Sequence, residues 1–152
     1  MALRPPAPLI LVGALGCGGG VDTGAVEHID DLGGVACLLG SEPVDSTVGD
    51  TVLAAGGPAW ALVIADGCAP NDCVIVDELG CDVVFADGVV TVDATYRYTR
   101  LDQTCTAGCG ELWLTCAIAG GLPAGTHTLV YEDAPAAAVV VPHDGPAPCV
   151  GG

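Results

Sequence analysis

The feature that most constrains this fold is a strict alternation of apolar and polar side chains over residues 90–99. Neighbouring side chains of a β-strand point to opposite faces, so this pattern predicts a strand with one buried face. Asp87 and Gly88 separate it from the apolar run 83–86. Because an Asp-Gly pair tolerates the positive φ angles of a tight turn, the two segments are predicted to form a β-hairpin.

Five further segments have the composition of strands and are separated by turn-forming residues. They are residues 51–55, 60–65, 112–118, 126–131 and 137–141. The sequence contains no long amphipathic helical pattern. About seven short strands predict an all-β fold, an antiparallel sandwich of two sheets, with a small β-barrel as the alternative.

Residues 122–129, LPAGTHTL, resemble the corner that enters the penultimate strand of many immunoglobulin-like and fibronectin-type-III-like domains. These corners usually carry Tyr at the position of His127. The resemblance implies that the sandwich is immunoglobulin-like.

The beginning of the chain has the order of a secretory signal. Arg4 comes first, an apolar stretch follows from Ala7 to Leu15, and small residues surround Cys17. The uncharged run 5–21 has 17 residues, whereas a membrane-spanning helix needs about 20 apolar residues. Residues 1–16 are therefore predicted to be a signal peptide rather than a transmembrane helix.

Residues 14–17, Ala-Leu-Gly-Cys, resemble the lipobox of bacterial lipoproteins, with the usual order of the first two residues exchanged. In that family the Cys becomes the first mature residue and carries the lipid, which implies that Cys17 is lipidated. Gly18 is not the Asp that favours inner-membrane retention in some bacteria, which implies the outer membrane or its periplasmic face. Ala14 and Gly16 also form a small-x-small cleavage site, so ordinary secretion is the alternative.

The number of cysteines supports lipidation of Cys17. The chain has nine Cys, and setting Cys17 aside leaves an even number, as a set of disulfides in an oxidising compartment requires. The sequence contains no Cys-x-x-Cys pair, so the spacing indicates structural disulfides rather than a redox centre or a zinc site. The predicted disulfide cysteines are Cys37, Cys68, Cys73, Cys81, Cys105, Cys109, Cys116 and Cys149.

These cysteines allow roughly a hundred different pairings. We expect Cys37 or Cys149 to tie the ends of the domain, with Cys68–Cys73 and Cys105–Cys109 closing loops. The predicted organisation is a signal peptide over 1–16, a lipid-anchored Gly-rich tether over 17–36, and a disulfide-stabilised domain over 37–149.

The chain is strongly acidic, with 3 basic and 19 acidic side chains and a formal net charge of −16. This charge argues against nucleic acid and acidic lipid headgroups as partners. Acidic residues gather near one Cys-rich loop, which makes calcium or small-ligand binding the alternative function. They are Asp66, Asp72, Asp77, Glu78 and Asp82. They do not form an Asp-x-Asp-x-Asp-Gly loop, so a solvated acidic surface is favoured, and no metal or cofactor is predicted.

Nothing in the sequence indicates a catalytic centre. His127 is the only histidine of the predicted strands, since His28 lies in the tether and His143 near the C-terminus. It shares strand parity with Leu129 and Tyr131, which favours a packed histidine. The sequence contains no Gly-x-Ser-x-Gly nucleophile elbow. We therefore expect no enzyme activity.

Trp113 is the predicted partner contact. It has the opposite strand parity to Leu112, Leu114 and Cys116, so it should point away from the core. Cover by the Cys105–Cys109 loop or by the N-terminal segment is the alternative. The sequence thus predicts a cell-envelope lipoprotein with a non-catalytic structural or interaction module, held to the membrane by a lipid and contacting an envelope protein.

Overall fold

The computed structural model describes residues 26–31, 33–65, 69–70, 74–100 and 109–151. These residues form β-strands and no α-helix, so the all-β prediction is confirmed. Within the same ranges, no helix has the length and apolar character needed to cross a membrane. The strands are β1 (Val26–Asp31), β2 (Gly34–Leu39), β3 (Asp50–Leu53), β4 (Trp60–Ala65), β5 (Ala69–Pro70), β6 (Val74–Ala86), β7 (Val89–Arg100), β8 (Cys109–Gly110), β9 (Trp113–Ala117), β10 (Gly125–Tyr131), β11 (Ala137–Val141), β12 (His143–Pro146) and β13 (Cys149–Gly151).

Two sheets share one core. Sheet I contains β6, β7, β10 and β11 in that order, with β1 beside the second half of β7. Sheet II contains β13, β2, β4 and β9 in that order. Two short ribbons, β3 with β12 and β5 with β8, complete the described strands.

One pairing corrects the expectation of a wholly antiparallel sandwich. β10 runs parallel to β7, with Thr128 beside Val89 and Tyr131 beside Val92. Parallel neighbours require a long crossover connection. Here the chain leaves β7 at Arg100, forms β9 in sheet II and returns to sheet I at Gly125.

The predicted hairpin between β6 and β7 is confirmed. Asp87 and Gly88 have φ angles of 51° and 79°, and Ala86 pairs directly with Val89. The register set by this two-residue turn continues without interruption to Glu78, which lies opposite Arg97. An irregularity between Val76 and Glu78 then shifts it. The turn therefore fixes which side chains are neighbours along most of the hairpin.

The core lies between the sheets and takes alternate residues from their strands. Sheet I contributes Val90, Val92, Ala94, Leu129, Tyr131, Val139 and Val141, and sheet II contributes Ala36, Leu38, Ala61, Val63, Leu114, Cys116 and Val150. The apolar parity predicted for residues 90–99 thus faces inward as far as Ala94, and Tyr96 packs against the core edge. The inward residues are apolar except for His127 on β10, so the opposite parity of each strand defines an outer face.

Two disulfides connect these strands. Cys37–Cys149 joins the neighbouring strands β2 and β13 of sheet II across 112 residues of sequence. Cys81–Cys116 joins β6 of sheet I to β9 of sheet II. The two cysteines expected to tie the domain ends are therefore bonded to each other. The predicted Cys68–Cys73 and Cys105–Cys109 bonds lie outside the described side chains.

The folded region begins before Cys37, although the sequence analysis placed residues 17–36 in a tether. β1 pairs with β7 along residues 95–100, and β2 begins at Gly34. Cys17 and the rest of residues 17–25 lie outside the described residues, as does the predicted signal peptide over 1–16. The Gly-rich, acidic segment 17–36 has no strand periodicity, but the long edge of β7 supplies backbone hydrogen-bond partners for β1.

Candidate interaction surfaces

The outer face of sheet II carries both tryptophans of the chain. Each of the strands β2, β4 and β9 sends alternate side chains to this face, and the residues align across the strands in rows. The rows are Val35, Ile64 and Trp113; Cys37, Leu62 and Thr115; and Leu39, Trp60 and Ala117. We call this surface the covered face, because its central side chains are buried.

Three central side chains of this face are buried although they point away from the main core. Leu62 is 0% exposed, Cys37 is 1% exposed and Leu39 is 8% exposed. None of the three belongs to the cluster between the sheets. Their burial shows that apolar side chains are shielded from water on both sides of sheet II.

The loop between β2 and β3, residues 40–49, forms hydrogen bonds near both ends of this face. Its start is fixed by the Gly40 N–H, which donates to Thr51 Oγ1 at 2.8 Å. Ser46 Oγ then donates to Glu111 Oε2 at 2.7 Å. Gly40 follows the row of Leu39, whereas Glu111 precedes the row of Trp113 at the opposite end of the sheet. We call residues 41–49 the strap; most of its side chains are exposed.

Trp113 lies on this outer face, with a half-buried side chain, while Leu114 and Cys116 point into the core. The strap is tied to Glu111, only two residues before it. The Cys105–Cys109 loop and the N-terminal segment, considered above as its cover, lie outside the described side chains. A partner contact at Trp113 remains a prediction.

The outer face of sheet I is different, and we call it the open face. Its outward side chains are small, β-branched or acidic, and most are exposed. They are Asp82, Val84 and Ala86 on β6; Val89, Thr91 and Asp93 on β7; Thr126, Thr128 and Val130 on β10; and Ala138 and Val140 on β11. Val84 is 59% exposed and Val140 is 55% exposed.

Carboxylates form a row across the open face. Asp82 lies directly opposite Asp93 in the β6–β7 register. Glu132 follows Tyr131, the partner of Val92, so it continues the row beyond β10. A depression of about 400 Å³ lies here, between Asp93, Glu132 and Asp133. This row was not predicted from the sequence, although the register of the two-residue Asp87-Gly88 turn places Asp82 opposite Asp93.

His127 is a packed residue in the structure, as its strand parity indicated. It is 5% exposed, and its Nε2 donates to the carbonyl oxygen of Pro123 at 2.7 Å. The ring also meets Phe85 edge to face, with centroids 5.2 Å apart. Because a carbonyl oxygen only accepts, Nε2 carries the proton in this bond.

The acidic cluster considered for calcium is only partly described. Asp77 accepts a hydrogen bond from Thr99 Oγ1 at 2.8 Å, and Glu78 forms an ion pair with Arg97. Asp66 and Asp72 lie outside the described residues. Among the side chains that the structure describes, no three of His, Cys, Asp and Glu are grouped so that they could hold a metal ion.

Comparison with known proteins gives no match, since no protein-family model, no curated protein and no solved structure is significantly similar to this chain.

Proposed function

We propose that this chain is an exported, lipid-anchored protein of the bacterial cell envelope whose β-sandwich is a non-catalytic structural or interaction module. The observation that carries the proposal is the pair of disulfides, Cys37–Cys149 and Cys81–Cys116. Disulfides persist in oxidising compartments and are rare in the cytosol, where thiols are kept reduced. Cys37 and Cys116 are both buried, which supports a structural role for the bonds.

The remaining cysteines support an anchor at Cys17. The two bonds use four of the nine cysteines, and 9 − 4 = 5 leaves an odd number. At least one of these five has no disulfide partner within the chain. Cys17 follows the lipobox-like residues 14–16, so it is the cysteine that we assign to the lipid. Two or more acyl chains would hold the protein firmly in a membrane.

The sandwich itself is proposed to be immunoglobulin-like. In such folds a corner Tyr bonds to backbone a few residues upstream. The bond from His127 to the Pro123 carbonyl has this local form, with an imidazole nitrogen in place of a phenol. The parallel pairing of β7 with β10 is the feature that differs from an all-antiparallel arrangement.

The anchor is tested by fractionating cells that express the wild-type chain, Cys17→Ser and Gly18→Asp. We expect the wild type in the outer-membrane fraction and labelled by a fatty-acid probe. Cys17→Ser should lose both the label and the membrane association. Gly18→Asp should keep the label and move to the inner membrane. Equal membrane association of Cys17→Ser and the wild type would contradict the lipid anchor and favour secretion or another attachment.

The ligand-binding alternative has its own measurement. Isothermal titration of the purified protein with calcium chloride, with magnesium chloride as the control, separates the two functions. An interaction module should give no saturable heat for either ion. Saturable binding of calcium alone would replace the proposed function with calcium binding.

A further inference from the structure

We infer that the open face of sheet I docks a basic partner protein, one whose contact surface combines apolar side chains with Lys or Arg. This inference rests on the proposed function and specifies the surface and the kind of partner. The face is formed by outward residues of β6, β7, β10 and β11, which include Val84, Asp82 and Asp93.

The open face carries an apolar strip formed by Val84, Val130 and Val140. In a two-sheet sandwich, an outer sheet face in water usually carries polar side chains. Here Val84 and Val130 flank Thr91 in one row, and Val140 on β11 lies two rows further along the sheet, opposite Thr126. Val84 and Val140 are each more than half exposed. These side chains are short and lie on a regular sheet, so they present apolar area that needs little ordering when a partner binds.

Two carboxylates lie beside this strip. Asp82 and Asp93 are cross-strand neighbours at one end of the apolar strip, and both are exposed. Like charges directly opposite each other on a sheet destabilise it. A Lys or Arg from a partner placed between these two carboxylates would replace this repulsion with attraction.

The charge of the whole chain favours one kind of occupant over the others. With a net charge of −16, a second copy of the chain would be repelled, as would acidic lipids and nucleic acids. A basic protein would instead be attracted over a distance and would associate faster at low salt. The described carboxylates are not grouped to hold a metal ion, so a cation on a protein side chain is the occupant that we infer.

The β3–β12 ribbon supplies matched controls for a test. It carries an exposed valine, Val52, which is 62% exposed and lies opposite Asp144. Asp50 is also exposed on the same ribbon. The ribbon therefore offers an exposed valine and two exposed aspartates on a sheet separate from sheet I.

The experiment places a benzophenone side chain at position 84 of the full-length protein in intact cells, and at position 52 as the control. After irradiation, we expect a cross-linked product at position 84 that is at least fivefold more abundant than at position 52. Its second component, identified by mass spectrometry, should be a protein with an isoelectric point above about 8, following the charge argument above.

The charge requirement is tested in the same cells with Asp82→Asn/Asp93→Asn and with Asp50→Asn/Asp144→Asn. Each pair removes two negative charges. We expect the first pair to reduce the product at position 84 at least fivefold and the second to reduce it less than twofold. Equal losses from the two pairs, an acidic or neutral partner, a product containing a second copy of this chain, or no product at position 84 would overturn the inference. Fractionation of the same cells separates this result from failure of the proposed anchor, which would appear as loss of membrane association.

Discussion

The outer faces of the two sheets differ in how far their apolar side chains are exposed to water. Leu62 on the covered face is 0% exposed, whereas Val84 on the open face is 59% exposed, although both point away from the main core. The covered face also carries the Cys37–Cys149 bond, and the strap is tied to Glu111 beside one end of it. Apolar residues on the covered face therefore stabilise the fold, while those on the open face are available for contacts with other molecules.

The connections beside the two faces differ in length. The strands β2 and β3 are joined by residues 40–49, a connection long enough for Ser46 to reach Glu111. The strands β6 and β7 are joined by Asp87 and Gly88 alone, a turn that cannot fold back over its own hairpin. The tight turn therefore provides no chain that could cover the open face.

Among the changes that compare the two faces, loss of the Cys37–Cys149 bond should lower the free energy of unfolding most. We expect Cys37→Ala/Cys149→Ala to lower the free energy of unfolding by about 4 kcal/mol, because the bond closes a long loop in the unfolded chain. Urea unfolding monitored by circular dichroism measures this change. A loss below about 1 kcal/mol would show that the bond contributes little to the covered face.

Truncation of a central side chain of the covered face should lower the free energy of unfolding by a smaller amount. Leu62→Ala should lower the free energy of unfolding by about 3 kcal/mol, since it removes buried apolar contacts and leaves a cavity. The matched change on the open face, Val84→Ala, should alter it by no more than about 0.5 kcal/mol. Similar losses from both variants in urea unfolding would remove the distinction between the faces.

The strap should contribute less to the free energy of unfolding than the buried side chains of the covered face do. Ser46→Ala removes the hydroxyl that donates to Glu111, and we expect it to lower the free energy of unfolding by about 1 kcal/mol. Release of the strap should also move the tryptophan emission to longer wavelength, because Trp60 and Trp113 both lie on the covered face. Thr47→Ala is the control, since its side chain is exposed and the bond from its N–H to Asp45 is retained. Unchanged emission in Ser46→Ala would indicate that the strap does not shield these residues.

The smallest effect should have the opposite sign. Asp82→Asn removes one of two like charges that face each other on the open face, and it should raise the free energy of unfolding by about 0.3 kcal/mol. Asp50→Asn, opposite Pro146 on the ribbon, should not change it. A double-mutant cycle of Asp82→Asn and Asp93→Asn at low salt isolates the repulsion. A coupling energy of zero would contradict the like-charge pair as a source of instability.

Local sequence patterns predicted much of the hairpin that forms half of the open face. Alternation over residues 90–99 identified β7 and its buried parity, and Asp87-Gly88 identified the turn. Together they also determine the register, and with it the opposition of Asp82 and Asp93. This was possible because a strand period of two and a two-residue turn depend only on near neighbours in the chain.

The contacts of the covered face could not be predicted from local sequence patterns. Cys37 and Cys149 are 112 residues apart, and parity alone does not choose their pairing. Nothing in residues 40–49 specifies that Ser46 reaches Glu111. The β1–β7 pairing also escaped the sequence analysis, because the segment that forms β1 has no alternation of its own.

The sequence by itself therefore determined the all-β class, the β6–β7 hairpin, and the inward and outward parity of the main strands. These properties follow from the alternation of side chains along a strand and from the φ angles that a turn residue can adopt. Only the tertiary structure decided which outer face is covered, which cysteines pair in the described region, and that β10 lies parallel to β7. Each of these depends on contacts between residues far apart in sequence, whose formation is favoured by burial in the assembled sandwich rather than by any local preference.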